Sequence, residues 1–254
     1  MMPMQHEVLL PPEVSAVVRW FWTPWTAAKR AVLRRRLGKA VFERVLGRHF
    51  VVWPGVFNPV VFLTGRYLAE FVARSPLLDP VAGTKTVLDV GTGCGVLGIF
   101  AALRGHQVTA VDVVPEAVSC ARANAILNRA KVELLLGDLF APVVGHRFDI
   151  VLASLPKYRG TPKTTFDRSW RSPDVIDRFT EGLPSVLAPD GVAFFVLTSH
   201  GDCAGMLNGL AKAGLLVERL ECRHFGVGTM AIYAARLPAA ETPANLPIST
   251  AGSS

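Results

Sequence analysis

The chain has 254 residues, half of them hydrophobic, and 27 Lys and Arg against 20 Asp and Glu give a net charge of +7. That is enough apolar material for a substantial core. Cys94, Cys120, Cys203 and Cys222 are too few and too scattered for a disulfide framework or a zinc site, with no C-x-x-C pair, and read as buried free thiols. The histidines show no H-x-x-x-H pair, which speaks against a metal.

The longest apolar runs, such as Val192-Ala193-Phe194-Phe195-Val196-Leu197, have strand length. A membrane-spanning helix needs roughly 20 residues, so no membrane partner is expected. Glu7 and Glu13 precede any apolar segment that could serve as a secretory leader, and the expected location is cytoplasmic.

The charge sits at one end. Residues 1–50 hold nine Lys or Arg against Glu7, Glu13 and Glu43, a net +6. Thr23-Pro24 reads as a cap and first-turn proline, and Leu33, Leu37, Val41 and Val45 form one stripe with Phe42 and Leu46 beside it. The expectation is a basic helix in a helical extension or lid over residues 1–52. Its arginine face would be solvated or would attract nucleic acid. Trp20-Phe21-Trp22-Thr23-Pro24-Trp25 concentrates three tryptophans; it would pack against the core as a lid, line a substrate pocket or form a homodimer contact.

Residues 53–236 form the expected catalytic domain, and 237–254, rich in Pro, Ala, Ser and Thr, a disordered tail. Val56-Phe57-Asn58-Pro59 leads into a helix over Val60 to Ala69. Next, Val87-Leu88-Asp89-Val90 ends in a turn with glycine at 91, 93 and 95 and runs into an apolar helix. Glycines there let backbone approach a ligand. The dinucleotide fingerprint wants its third glycine where this chain has Val96, which disfavours nicotinamide or flavin. Asp112 closes the next apolar run, Val108 to Val111, where a carboxylate can accept both hydroxyls of a ribose.

The second half keeps alternating. Strands are expected over 148–154, 191–198, 215–221 and 229–235, with helices over 174–187, opened by Ser172-Pro173, and 202–214. Alternation of this kind calls for an α/β fold with a mostly parallel sheet and a ligand crevice at the carboxyl ends of its strands.

Asp89-Val90-Gly91-Thr92-Gly93-Cys94-Gly95 fits D-x-G-x-G-x-G and resembles the first motif of the class I S-adenosylmethionine-dependent methyltransferases. The resemblance implies a Rossmann-like sheet of seven strands, the last antiparallel, with helices on both faces. It implies S-adenosylmethionine as cofactor, with the glycine turn under the methionine part, Asp112 at the ribose and Val113 among the cofactor-binding residues. Val132-Glu133-Leu134-Leu135-Leu136-Gly137-Asp138-Leu139 would be the third strand, and its acid, Asp138, would face the adenine amino group. Asp89, Thr92, Leu139 and Ser154 complete the implied cofactor set. A lone acid at a strand end is ordinarily just solvated or capping. Three in register at βα spacing argue for a site.

Within that class, the enzymes that methylate planar amide or exocyclic amino nitrogens carry Asn or Asp, Pro-Pro, then Tyr or Phe at the end of the fourth strand. Here stand Ser154-Leu155-Pro156-Lys157 and then Tyr158. Trp170 with Asp177-Arg178-Phe179, and Gly228-Thr229-Met230-Ala231, are similar to the release-factor glutamine methyltransferases of the methyltransferase small domain branch. The implied catalytic group is Ser154, Leu155, Pro156, Lys157 and Tyr158. The Ser154 hydroxyl and the Leu155 carbonyl would orient a nitrogen, with Tyr158 stacking or hydrogen bonding; for an oxygen acceptor, Lys157, Asp167, His200 and His224 are the candidate base or cation. Serine cannot copy a carboxamide. The leading expectation is therefore a small-molecule acceptor in biosynthesis, methylated on nitrogen or oxygen. The alternative is a protein or RNA N-methyltransferase, and more remotely a cofactor-binding interaction protein without catalysis.

Overall fold

The computed structural model describes residues 10–13, 15, 38–80, 83–164, 167, 170–225 and 228–239. The tryptophan-rich run, Leu33, Leu37 and most of the basic segment lie outside them, as does most of the expected tail.

Where the basic helix was expected to end, the chain is a β-hairpin. Strands β1 (Val41–Val45) and β2 (Arg48–Val52) pair antiparallel from Val41↔Val52 to Val45↔Arg48. The two linking residues, Leu46 and Gly47, have φ of 48° and 83°. Positive φ at both positions is what a two-residue hairpin turn requires, because its twist matches that of the strands. Val41, Phe42, Val45 and Leu46 thus belong to a hairpin, not to a helical stripe. Phe42 points outward, 78% exposed, while Val45, Phe50 and Val52 are buried.

Helix α1 (Leu63–Arg74) follows, then β3 (Thr86–Val90), α2 (Val96–Leu103), β4 (Gln107–Asp112), α3 (Pro115–Leu127) and β5 (Val132–Leu136). The second half adds β6 (Phe148–Ala153), the short pair β7 (Tyr158–Arg159) and β8 (Arg171–Ser172), α4 (Val175–Val186), β9 (Leu187–Thr198), α5 (Cys203–Lys212), β10 (Leu216–Phe225) and β11 (Gly228–Arg236). Seven strands form one sheet in the order β10-β11-β9-β6-β3-β4-β5. Strand β11 is antiparallel to both of its neighbours, whereas β3, β4, β5, β6 and β9 pair in parallel, as the resemblance implied.

Alternating residues of the central strands feed two cores. Val87 and Ile150 pack with α1, α2 and α3 on one face; Leu88 and Val151 pack with α4 and α5 on the other. The hairpin joins the first of these through Val45, Phe50 and Val52. Strand β3 has β4 on one side and β6 on the other, so the chain reverses its winding direction beside β3. A crevice opens at the carboxyl ends of strands where the winding reverses, and there the glycine turn stands.

Candidate functional site

The turn after β3 is held from behind. Gly91 and Thr92 donate their backbone N–H groups to Val111 O at 2.9 and 3.1 Å, tying the turn to β4. Asp89 is fully buried, and its Oδ2 accepts from Thr92 Oγ1 at 2.7 Å and from Gly98 N at 2.9 Å. One carboxylate thereby fastens the turn to the first turn of α2. Its Oδ1 has no hydrogen-bond partner, and burial pushes the acid up to about 6. Asp89 supports the turn without lining the crevice, whereas Thr92 lines it.

Glycine is required at two positions for different reasons. At Gly95 (φ 86°) a Cβ would stand 3.1 Å from Ala121 Cβ, so the residue lets α3 pack close. At Gly93 (φ 56°) a Cβ would stand 3.7 Å from Phe57 Cβ, filling part of the space between turn and loop, in a conformation that L side chains rarely adopt.

Asp112 ends β4 on the wall of the same crevice. Its Oδ2 accepts from Gly93 N and its Oδ1 from Val114 N, each at 2.9 Å. Desolvation by burial raises its pKa against these bonds. Each oxygen keeps a further lone pair for a ligand hydroxyl. Val113 beside it is 49% exposed and also lines the space.

The cavity has a volume of about 370 Å³, within the range of small-molecule sites. It gathers Gly91, Thr92, Gly93, Asp112 and Val113 with Asp138 and Leu139 after β5, and with Ser154, Leu155 and Pro156 after β6. A Cβ on Gly91 would be 3.8 Å from Leu155 Cδ2, so turn and tetrapeptide face each other.

Lys157 and Tyr158 are not among the residues that line it. The Lys157 Nζ lies 5.3 Å from the Tyr158 ring centroid and 5.5 Å from that of Trp170. Tyr158 opens β7, donating its N–H to Trp170 O at 2.9 Å. None of the expected base candidates lines the cavity either. Asp167 accepts from Lys163 N, His224 Nδ1 is 2.9 Å from Thr229 Oγ1, and His200 packs against Gly228.

Sequence reasoning gave Arg171 and Arg178 no place in the site, yet both line the cavity. Gly55, Val56 and Phe57, from the loop before α1, line it too. Phe57 packs on Phe62 and Trp170, with ring centroids 5.1 and 5.3 Å away. The fold of that loop rests on Asn58, buried, whose Oδ1 accepts from Val60 N and Val61 N and whose Nδ2 donates to Glu43 Oε1 on the hairpin. The loop's residues were noticed in the sequence, but their tie to β1 has no local signature.

A backbone cradle kept open by glycine, a buried carboxylate at the end of the second parallel strand and a cavity of nucleoside size fit S-adenosylmethionine. Fold and site together define the class I S-adenosylmethionine-dependent methyltransferase architecture. The chain belongs to the methyltransferase small domain family, whose model matches residues 66–220. It is 34% identical over 135 residues to the release factor glutamine methyltransferase of Shewanella oneidensis, a match covering 52% of this chain and 47% of that one. It is also 34% identical over 157 residues to the ribosomal RNA small subunit methyltransferase C of Alcanivorax borkumensis, covering 60% and 43%. The chain thus spans about half the length of these relatives. In fold it is similar to a Thermus thermophilus 16S rRNA N2 methyltransferase in complex with AdoMet and guanosine, with a TM-score of 0.60 and 22% identity over 79% of this chain and 50% of that one.

Proposed function

We propose that the protein is an S-adenosylmethionine-dependent N-methyltransferase whose acceptor is a macromolecule, protein or RNA. The observation that carries this reading is the shared cavity, in which the glycine turn and Asp112 stand beside the Ser154-Leu155-Pro156 corner. When bound, the cofactor supplies a methyl group on a sulfonium, which departs as a neutral thioether and needs no acid. The residues of the chain have to position the acceptor, and the methylated nitrogen then sheds one N–H proton to solvent as the product leaves. Asp112 would hold the ribose, and the open backbone at Gly91 and Gly93 would admit the methionine end.

Nitrogen is favoured over oxygen by the composition of the wall. A hydroxyl acceptor needs a base, and Lys157, Asp167, His200 and His224 all stand away from the cavity. Among the acids that do line it, Asp112 is bonded to two backbone N–H groups, while Asp138 and Asp174 are both paired to Arg178. A neutral amide or amine nitrogen brings its own lone pair. The Ser154 hydroxyl and the Leu155 carbonyl can accept its hydrogens, leaving that pair for the methyl.

The relatives favour one acceptor class over the other. Those named act on a release factor and on ribosomal RNA, which supports a macromolecular acceptor over the small-molecule acceptor expected from the serine at 154. The excess of +6 within residues 1–50 would draw a polyanionic partner such as ribosomal RNA to the protein. No helix of the described residues is long and apolar enough to cross a membrane.

The test is to incubate the protein with cofactor carrying a labelled methyl and, separately, with release factor, ribosomal subunits and a small-metabolite extract. Label in a protease- or ribonuclease-sensitive macromolecular fraction is expected. Label confined to small metabolites would overturn the reading.

A further inference from the structure

Asp138 does not stand alone in the cavity wall. Arg178 of α4 donates from Nη1 to Asp138 Oδ2 at 2.5 Å, and both residues line the cavity. The same guanidinium is gripped from its own helix end. Its Nε lies 3.0 Å from Asp174 Oδ2, and Asp174 Oδ1 accepts from Ser172 Oγ at 3.3 Å. Beneath the pair, the rings of Phe140 and Phe179 meet at 5.5 Å and are both buried, which docks α4 onto the loop after β5. The arginine therefore reaches Asp138 from a fixed base.

An ion pair with side chains 42% and 49% exposed adds little to stability. Its effect is on orientation. Unheld, an aspartate at that exposure samples several rotamers, and each productive contact would have to order it first. Bound through Oδ2, it leaves Oδ1 to accept from whatever the cavity holds. A fixed carboxylate oxygen accepts from an amino group and repels a carbonyl oxygen.

We propose that Arg178 is a positioning residue that fixes the Asp138 carboxylate to select a 6-amino purine over a 6-oxo purine in the cofactor. This rests on the reading of the cavity as an S-adenosylmethionine site. It adds a selectivity device that links the cofactor half of the cavity to α4, the helix that follows the acceptor loop.

The experiment is calorimetric titration of the full chain with S-adenosylhomocysteine and with its deaminated inosine counterpart. The wild type should prefer the adenosine compound by about tenfold or more, the scale of one charge-assisted hydrogen bond. Arg178→Gln should lose most of that preference, and Arg178→Lys should retain part of it, since a lysine keeps the charge without the fork. Asp112→Ala should weaken both compounds alike and leave the ratio intact, because the ribose is common to both. An Arg178→Gln protein with the wild-type ratio, or one that loses both ligands equally, would overturn the proposal. A wild type that binds neither compound would overturn the cofactor reading itself, and the proposal with it.

Discussion

Asp112 and Asp89 are both buried acids with raised pKa values, yet they play different parts. Asp112 spends one lone pair of each oxygen on backbone N–H groups and holds the rest toward the cavity. Asp112→Ala should therefore weaken S-adenosylmethionine binding by about 1.5–3 kcal/mol, the worth of hydrogen bonds to a charged acceptor, in a protein that still folds. Titration calorimetry beside a circular dichroism spectrum checks both halves of that expectation, and unchanged affinity would remove Asp112 from the ribose.

Asp89, by contrast, is a folding matter. Its folded-state pKa of about 6 lies above the ordinary 3.8, so the native state binds the proton more tightly than the unfolded chain does. The cost of its buried charge is fully present above pH 6 and is relieved as the pH falls through 6, so this group makes stability rise on acidification. The difference of about 2 units amounts to roughly 3 kcal/mol at most. Glu70 and Asp177 are shifted the opposite way and lose their contributions only at lower pH, below the ordinary carboxylate range. Between about pH 7 and 5, denaturant unfolding of the wild type should show a rise in stability that Asp89→Asn diminishes. Equal pH slopes in the two proteins would mean that Asp89 is not the group responsible.

At the scale of elements, the link between hairpin and glycine turn is one side chain. Asn124 of α3 is fully buried; its Oδ1 accepts from Val51 N at 2.7 Å, and its Nδ2 donates to Val51 O at 2.7 Å and to Cys94 O at 2.9 Å. The amide copies a strand edge for β2 and fixes the turn with the same group. Asn124→Ala would take the side-chain partner from Val51 N and Cys94 O and leave Val51 O with the Cys120 thiol alone, at about 1–3 kcal/mol for each unsatisfied group that water cannot reach. Denaturant melts should show a loss of more than about 2 kcal/mol, and cofactor affinity should fall as the turn loosens. A loss within experimental error would assign the anchoring elsewhere.

Nothing in the sequence marked Asn124, because its partners lie 73 and 30 residues away. The strands were legible for the converse reason. Val87-Leu88 and Ile150-Val151 split between two faces that are both covered, and each run stops at a glycine, an acid or a polar corner. The hairpin was misread because a spacing of four suits either element: Val41 and Val45 share a face on a helix and on a strand. Gly47 between Val45 and Val51-Val52 was the available signal. The cofactor turn could be read residue by residue, whereas the Arg178–Asp138 pair and the withdrawal of Lys157 from the cavity depend on how α4 and β7 fold back.

For the whole molecule, the burial of the hairpin decides how the chain comes apart. Residues 1–52 were expected as a separate extension, but Phe50 lies fully buried with its ring 6.0 Å from that of Phe100 on α2, in the same core as Val87, Ile150 and Phe194. A hairpin of two strands has no stability of its own in water. The body, in turn, would expose Phe100 without it. Both parts should therefore unfold together, in one transition that far-ultraviolet dichroism and tryptophan fluorescence trace at the same denaturant concentration. Phe50→Ala should move that single transition by about 3–5 kcal/mol, the usual cost of an emptied phenylalanine site, without splitting it. Two separate transitions, or a body that keeps full stability after Phe50→Ala, would show that the hairpin is an independent appendage and restore the boundary at residue 52.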